Sequence, residues 1–223
     1  MKINYPDNEE FFALPFYVDS RVLVPRNDTE TMIYQVLKEI NSANFTLIDV
    51  GTGSSCIPVS ILKNTKFEIV EAFALDISPD ALEVAKINTR KHDLQEKLNL
   101  QKSDLLEFFL NQTQKINTKN LIITANLPYI KNGDFENMDK EVLENEPHIA
   151  LFGGKDTGFE LYEKLISQIF ELKNIYSLEK ITLFIEIGFD QREYSRKYLE
   201  SLGLEIEYFK DLGGIDRIVK ICF

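Results

Sequence analysis

From Thr46 onward, short apolar runs take turns with helix-length stretches whose apolar residues recur on one stripe. That alternation constrains the fold more than any other feature of the chain. The runs fall at Thr46–Val50, Phe67–Leu75, Leu98–Gln101, Leu121–Ala125 and Ile181–Ile187, and Leu204–Phe209 and Ile215–Cys222 close the series. Between them, helices are predicted from about Ser55 to Lys63, Pro79 to His92, Thr157 to Leu172 and Gln191 to Leu202. Strands alternating with helices build βαβ units with right-handed crossovers, hence an α/β fold around a mostly parallel sheet. Ahead of this core, Phe12, Leu14, Phe16 and Val18 alternate, Asp19-Ser20 marks a turn, and Val22 and Val24 alternate again, so Phe11–Arg26 reads as a hairpin. Asp28 or Thr29 then caps a helix through Ile40. The natural division is a hairpin segment, residues 1–28, ahead of one domain, residues 29–223.

Composition sets limits on function. The 223 residues can bury a substantial core, and a hydrophobic fraction of 44% with 27% charged residues is that of a soluble globular protein. Every long apolar stretch is broken by Asp or Glu, so no membrane span is expected. The first ten residues lack the apolar core and cleavage site of a signal peptide. Cys56 and Cys222 form no disulfide framework and no metal-ligand spacing, and no acidic cluster is spaced for a metal. A cytoplasmic setting is expected. The net charge of −11 opposes a phosphate backbone, and no Lys/Arg run offsets it, so nucleic acid is disfavoured as a partner.

Open α/β sheets bind ligands beyond the carboxyl ends of their strands. Three such ends carry telling residues. Asp49-Val-Gly-Thr-Gly-Ser-Ser55 follows the first core strand, and Gly51 and Gly53 allow a close backbone approach. The third glycine of a dinucleotide fingerprint is missing, and a lone G-x-G serves a structural turn equally well. Asp76, with Ile77 behind it, closes the second strand, where an acid takes a ribose hydroxyl pair. Asp104, followed by Leu105, closes the third and is placed to accept from an adenine amino group while Leu105 packs on the ring. Capping of the next helix is the structural alternative for both acids. Taken together, three acid-bearing turns on successive strands favour a nucleoside.

Asn126-Leu127-Pro128-Tyr129 ends the fourth strand. The Asn126 side-chain carbonyl and the Leu127 main-chain carbonyl offer two acceptors for one planar NH2 group. Pro128 stiffens the turn, and Tyr129 offers a flat face for an amide or a base. Two acceptors orient a poor nitrogen nucleophile for in-line attack on a methyl sulfonium without any base. Neither histidine looks catalytic: His92 reads as a solvated helix end, and His148 follows Glu146-Pro147, where it could shape a loop over the site.

With these residues placed, the chain resembles class I S-adenosylmethionine-dependent methyltransferases, and more narrowly the PrmC/HemK family, protein-(glutamine-N5) methyltransferases acting on peptide chain release factors. Further segments share the resemblance: Phe11–Arg26, Thr29–Thr31, Ala74–Leu82, Glu146–Gly154 and Asp211–Arg217. It implies a Rossmann-like, seven-stranded mostly parallel sheet with helices on both faces, ordered 3-2-1-4-5-7-6, with the last strand antiparallel and a hairpin ahead. It also implies S-adenosyl-L-methionine as cofactor, lined by Asp49, Gly51, Thr52, Gly53, Ser54, Ser55, Asp76, Ile77, Asp104, Leu105 and Asn126. Asn126 to Tyr129 would then hold the substrate glutamine of a Gly-Gly-Gln motif, with Pro25, Arg26, Glu146 and Pro147 closing on it. The family usually has Asn-Pro-Pro-Tyr, and Leu127 replaces the first proline here. It also normally carries a helical N-terminal domain, whereas only ten residues precede Phe11, so a version lacking that domain is implied. Asn-Leu-Pro-Tyr occurs in adenine N6-methyltransferases as well, which keeps RNA or DNA methylation as an alternative, beside a ribosomal protein glutamine. A cofactor-binding partner without activity is a third reading, against which intact Asn126 and Tyr129 speak.

Overall fold

Four of the core runs are buried on both faces because helices cover the sheet from both sides, the arrangement that parallel strands require. The structure, a computed structural model, describes residues 9–41, 44–67, 69–112, 114–131, 133 and 146–223. Residues 1–8, part of the stretch read for a signal peptide, lie outside them. Seven strands form the central sheet: β3 (Thr46–Val50), β4 (Glu71–Asp76), β5 (Leu98–Lys102), β6 (Asn120–Ala125), β9 (Lys180–Glu186), β10 (Glu205–Lys210) and β11 (Asp216–Cys222). Their order is β5-β4-β3-β6-β9-β11-β10, with β11 antiparallel to both neighbours and the other pairings parallel. This is the 3-2-1-4-5-7-6 order that the family resemblance implies. Two short strands, β7 (Ile130–Lys131) and β8 (Phe152–Gly154), pair beside the sheet.

The covering helices are α1 (Glu30–Glu39), α2 (Cys56–Asn64), α3 (Pro79–Lys91), α4 (Glu107–Leu110), α5 (Glu160–Tyr176) and α6 (Arg192–Ser201). On α3, Pro79 starts the first turn and the Ala81 N–H donates to Ser78 Oγ at 3.2 Å. Among the described residues, no helix is long and apolar enough to cross a membrane.

The N-terminal hairpin is shorter and tighter than its alternation suggests. Strands β1 (Glu9–Phe11) and β2 (Leu14–Phe16) meet at Phe12 and Ala13, both with positive φ, 52° and 56°. Asp19 makes a turn of its own, accepting from the Arg21 N–H at 3.0 Å, but joins no strands. Positive φ at two side-chain-bearing residues costs about 1–2 kcal/mol each. Tertiary contacts offset it: the Phe12 N–H donates to Glu30 Oε1 at 2.7 Å, and the Phe12 ring lies 4.8 Å from that of Tyr34. Phe11 and Phe16 are fully buried in one core with Met32, Ile33, Val36 and Leu47.

His92 corrects the sequence reading. It is buried rather than a solvated helix end, its Nε2 lies 2.9 Å from the Pro15 carbonyl oxygen, and its ring lies 4.9 Å from Phe16. Burial lowers its pKa. The helix end faces the hairpin, a long-range neighbour invisible to local pattern. Further up α3, fully buried Asn88 donates through Nδ2 to the carbonyls of Tyr17 (2.8 Å) and Ser54 (2.9 Å), and its Oδ1 accepts from the Tyr17 N–H at 2.7 Å. One side chain thus fastens the N-terminal segment to the glycine turn.

Candidate functional site

Register places the site. Val50 pairs with Leu75 on one side and Ala125 on the other, and Ala125 pairs with Ile185. The residues one step further along these four strands, Gly51, Asp76, Asn126 and Glu186, therefore stand side by side on one edge. A cavity of about 310 Å³ opens there. The glycine turn from Gly51 to Ser54 lines it, with Asp76 and Ile77, Asp104 and Leu105, and Asn126 to Pro128. Pro25 and Arg26 contribute from the N-terminal segment and Pro147 from the segment after residue 145.

The turn's own hydrogen bonding shows what it can hold. The Gly51 and Thr52 N–H groups both donate to the Leu75 carbonyl, at 2.8 and 2.9 Å, and the Gly53 N–H donates to Asp76 Oδ2 at 2.9 Å. A pyrophosphate needs such donors free. Here they are engaged, and carboxylates remain, so the turn suits a cation better than an anion. Apolar Ile77 and Leu105 beside Asp76 and Asp104 suit an adenosine. These residues fit S-adenosylmethionine, a nucleoside bearing a sulfonium. Burial raises the Asp76 pKa, with the Ser78 and Gly53 N–H groups opposing the shift. Asp104 Oδ2 accepts from Lys164 Nζ at 2.6 Å while the residue lines the cavity.

Gly51 permits the close approach of the two loops. Its φ is +72°, and a Cβ there would meet Leu127 Cδ2 at 2.7 Å. Gly51→Ala is therefore expected to weaken S-adenosylmethionine binding about tenfold, or ~1.4 kcal/mol, because the added methyl group displaces Leu127 and shifts the turn, while the left-handed strain lowers folding stability. Calorimetric titration checks this, and an unchanged Kd would refute it.

Asn126 sits in a chain of hydrogen bonds. Its Nδ2 donates to Thr29 Oγ1 at 3.3 Å, and the Thr29 hydroxyl donates to Glu186 Oε2 at 2.5 Å. Oδ1 is left as the acceptor on a residue that lines the cavity. The Leu127 N–H donates to Tyr162 Oη at 3.0 Å, and that hydroxyl donates to the Glu186 carbonyl at 2.5 Å. Tyr162 has one hydroxyl proton, so the Leu127 carbonyl, 3.3 Å from the same oxygen, keeps its accepting capacity. Opposite the loop, a Cβ on Gly153 would lie 2.1 Å from the Pro128 carbonyl oxygen, so main chain packs on main chain.

Four sequence-predicted residues stand behind the cavity wall. Asp49 and Ser55 are fully buried beneath the turn, and Asp49 Oδ1 accepts from the Thr124 hydroxyl at 2.6 Å. Tyr129 turns its hydroxyl toward Glu186 Oε1 at 3.4 Å, and its carbonyl accepts from Gln191 Nε2 at 3.2 Å. Glu146 is buried and ion-paired at 2.5 Å with Arg26, so the two elements expected to close the mouth are clasped to each other. Sequence reading missed Thr29, Tyr162 and Glu186 as site residues. Thr29 was read as a helix cap, yet its side chain caps nothing. The available signal was Glu186 itself, a carboxylate ending an otherwise apolar strand run.

A methyltransferase-domain profile matches residues 41–151. The chain is 36% identical over 212 residues to a release factor glutamine methyltransferase of Clostridium acetobutylicum, covering 94% of this chain and 70% of that protein. The same identity holds against the enzyme of that name from Clostridium botulinum, over 95% of this chain and 71% of that one. Among solved structures, the human METTL16 catalytic domain bound to a MAT2A 3′UTR hairpin superposes with a TM-score of 0.67 at 16% identity, covering 95% of this chain and 76% of that one. At such identity the superposition speaks for the fold alone, which is that of the methyltransferases. Identity above 30% along nearly the whole chain speaks for more, and the chain belongs to the release factor glutamine methyltransferase family.

Proposed function

We propose that this chain methylates the side-chain amide nitrogen of a glutamine in a peptide chain release factor, with the Asn126–Tyr129 loop as the amide-holding element. The observation that carries this reading is the orientation of Asn126. With Nδ2 committed to Thr29, the Asn126 Oδ1 is left to accept from a primary amide, and the Leu127 carbonyl, which lies 3.3 Å from the Tyr162 hydroxyl, would supply the second acceptor. Such a pair orients the nitrogen and draws its lone pair partly out of conjugation, so positioning supplies the rate enhancement. The glycine turn, Asp76 and Leu105 would hold S-adenosylmethionine, which when bound would supply an electrophilic methyl carbon, the carbon–sulfur bond breaking as the carbon–nitrogen bond forms. The amide proton becomes acidic on methylation and passes to water, so no side-chain base is required. Tyr129 steadies the loop from behind through Glu186.

Membership in the family supports the substrate class, and a net charge of −11 supports a protein amide over an adenine in a nucleic acid. The test is mass spectrometry of a release factor carrying a Gly-Gly-Gln loop after incubation with this protein and S-adenosylmethionine. One added methyl group on that glutamine is expected. Methylation of RNA with the release factor left unmodified would overturn the reading.

A further inference from the structure

We propose that Thr29 and Glu186 are positioning residues whose hydrogen-bond chain decides which end of the Asn126 amide faces the substrate, so that transfer requires Glu186 to be ionised. The inference rests on the amide-holding reading of Asn126 above, and it follows from counting protons along three contacts. An ionised Glu186 can only accept. The Thr29 hydroxyl, 2.5 Å from Oε2, must then donate to it, and having one proton it can only accept from Asn126. Asn126 therefore turns its NH2 group to Thr29, at 3.3 Å, and leaves Oδ1 for the substrate. A proton on Glu186 Oε2 reverses every bond. The carboxylic acid donates to Thr29, Thr29 donates to Asn126 Oδ1, and the NH2 group of Asn126 confronts the NH2 group of the substrate. Donor then meets donor, and the amide is not held.

The surroundings of Glu186 allow both states. It is fully buried, and burial pushes its carboxyl up to about 7, against the opposing effects of the Thr29 hydroxyl and Arg217. The titratable and charged groups facing it are Asp28 from the turn ahead of α1, Cys56 from α2, Tyr129 from the loop after β6, Tyr162 from α5 and Arg217 from β11. Burial also raises the pKa of Tyr129, Tyr162 and Cys56, so none of these three ionises near neutrality. Arg217 stays charged, with its Nε 3.3 Å from Asp211. Beside these three and Arg217, Glu186 is the group poised to change charge near pH 7.

The experiment is the single-turnover rate of release-factor methylation between about pH 5.5 and 8.5, with cofactor and substrate saturating. The wild-type rate should climb through a midpoint near 7 to a plateau. Glu186→Gln cannot titrate and should lose that ascending limb. Thr29→Val should run about tenfold slower with cofactor affinity unchanged and with some loss of melting temperature, since buried Glu186 loses a donor, and Thr29→Ser should restore both. A purely structural Thr29 would lower the melting temperature without slowing the saturated single-turnover rate of the folded enzyme well below it. Should Glu186→Gln fold poorly, the Asn126 side-chain amide resonances of the wild-type protein, assigned by their loss in Asn126→Ala, report directly and without substrate. They should shift with the same midpoint as the rate. Full activity in Thr29→Val, a retained limb in Glu186→Gln, or amide resonances that ignore pH would each overturn the inference. If the wild-type protein methylates no release factor at any pH, the proposed function fails instead, and the resonance titration still judges the hydrogen-bond chain.

Discussion

Asn126→Ala is expected to slow methyl transfer about 10³-fold, or ~4 kcal/mol, while S-adenosylmethionine affinity changes by no more than a few-fold. Asn126 follows β6 and lines the cavity, with its Nδ2 tied back to Thr29. Alanine removes one of the two acceptors for the substrate amide, and water cannot replace its fixed geometry. The residues proposed to hold the cofactor, the glycine turn, Asp76 and Leu105, line the cavity from the neighbouring strand ends. Folding should be nearly untouched, because Asn126 is only half-buried and Thr29 keeps its shorter bond to Glu186. Rapid-quench transfer rates together with calorimetric cofactor titration make the comparison. If cofactor affinity fell by the same factor as the rate, Asn126 would be a cofactor ligand, and the amide-holding role would have to move to another residue.

The alternation of strands and helices and the positions of Gly51, Asp76, Asp104 and Asn126 were legible in the sequence because each is a local signal, whereas the sheet order came only with the family resemblance. An apolar run buried on both faces says strand, and the residue that ends it must stand at the ligand edge. What the sequence could not show was pairing across distance. Asn126 and Thr29 are 97 residues apart, Thr29 and Glu186 157 apart, and nothing in either neighbourhood names the partner. The misplaced hairpin turn has the same origin. Asp19-Ser20 is the better turn by composition, but Phe12-Ala13 wins because Glu30 and Tyr34 wait beside it. His92 was misread for want of Pro15 and Phe16, which β2 brings to the end of α3.

Two buried carboxylates at this edge should make the protein lose stability as the pH rises toward neutrality, the reverse of ordinary acid denaturation. Asp49 is fully buried, and burial pushes its carboxyl up to about 7, with the Thr124 hydroxyl opposing; Glu186 is likewise pushed up to about 7. In the unfolded chain both return to about 4. Between those values the folded state binds protons that the unfolded state has released, so unfolding free energy falls with pH. This contribution is fully present below about pH 4 and is lost as the pH passes through about 7, at ~1.4 kcal/mol per pH unit for each proton and of order 3 kcal/mol for each group. Burial raises the Asp76 and Glu146 pKa values too, which adds in the same direction. The opposing case is Asp19, held below the usual range by its hydrogen bonds from Arg21, whose contribution fades only as the pH falls below about 4. Urea unfolding should therefore give greatest stability near about pH 5 and a steep decline by about pH 8. Asp49→Asn isolates one group: asparagine still accepts from Thr124 but cannot titrate, so about half the slope should vanish. A slope identical to that of the wild type would mean Asp49 is already ionised in the fold. In that case the turn would hold a buried negative charge at neutral pH, a stronger electrostatic reason for it to take a cation.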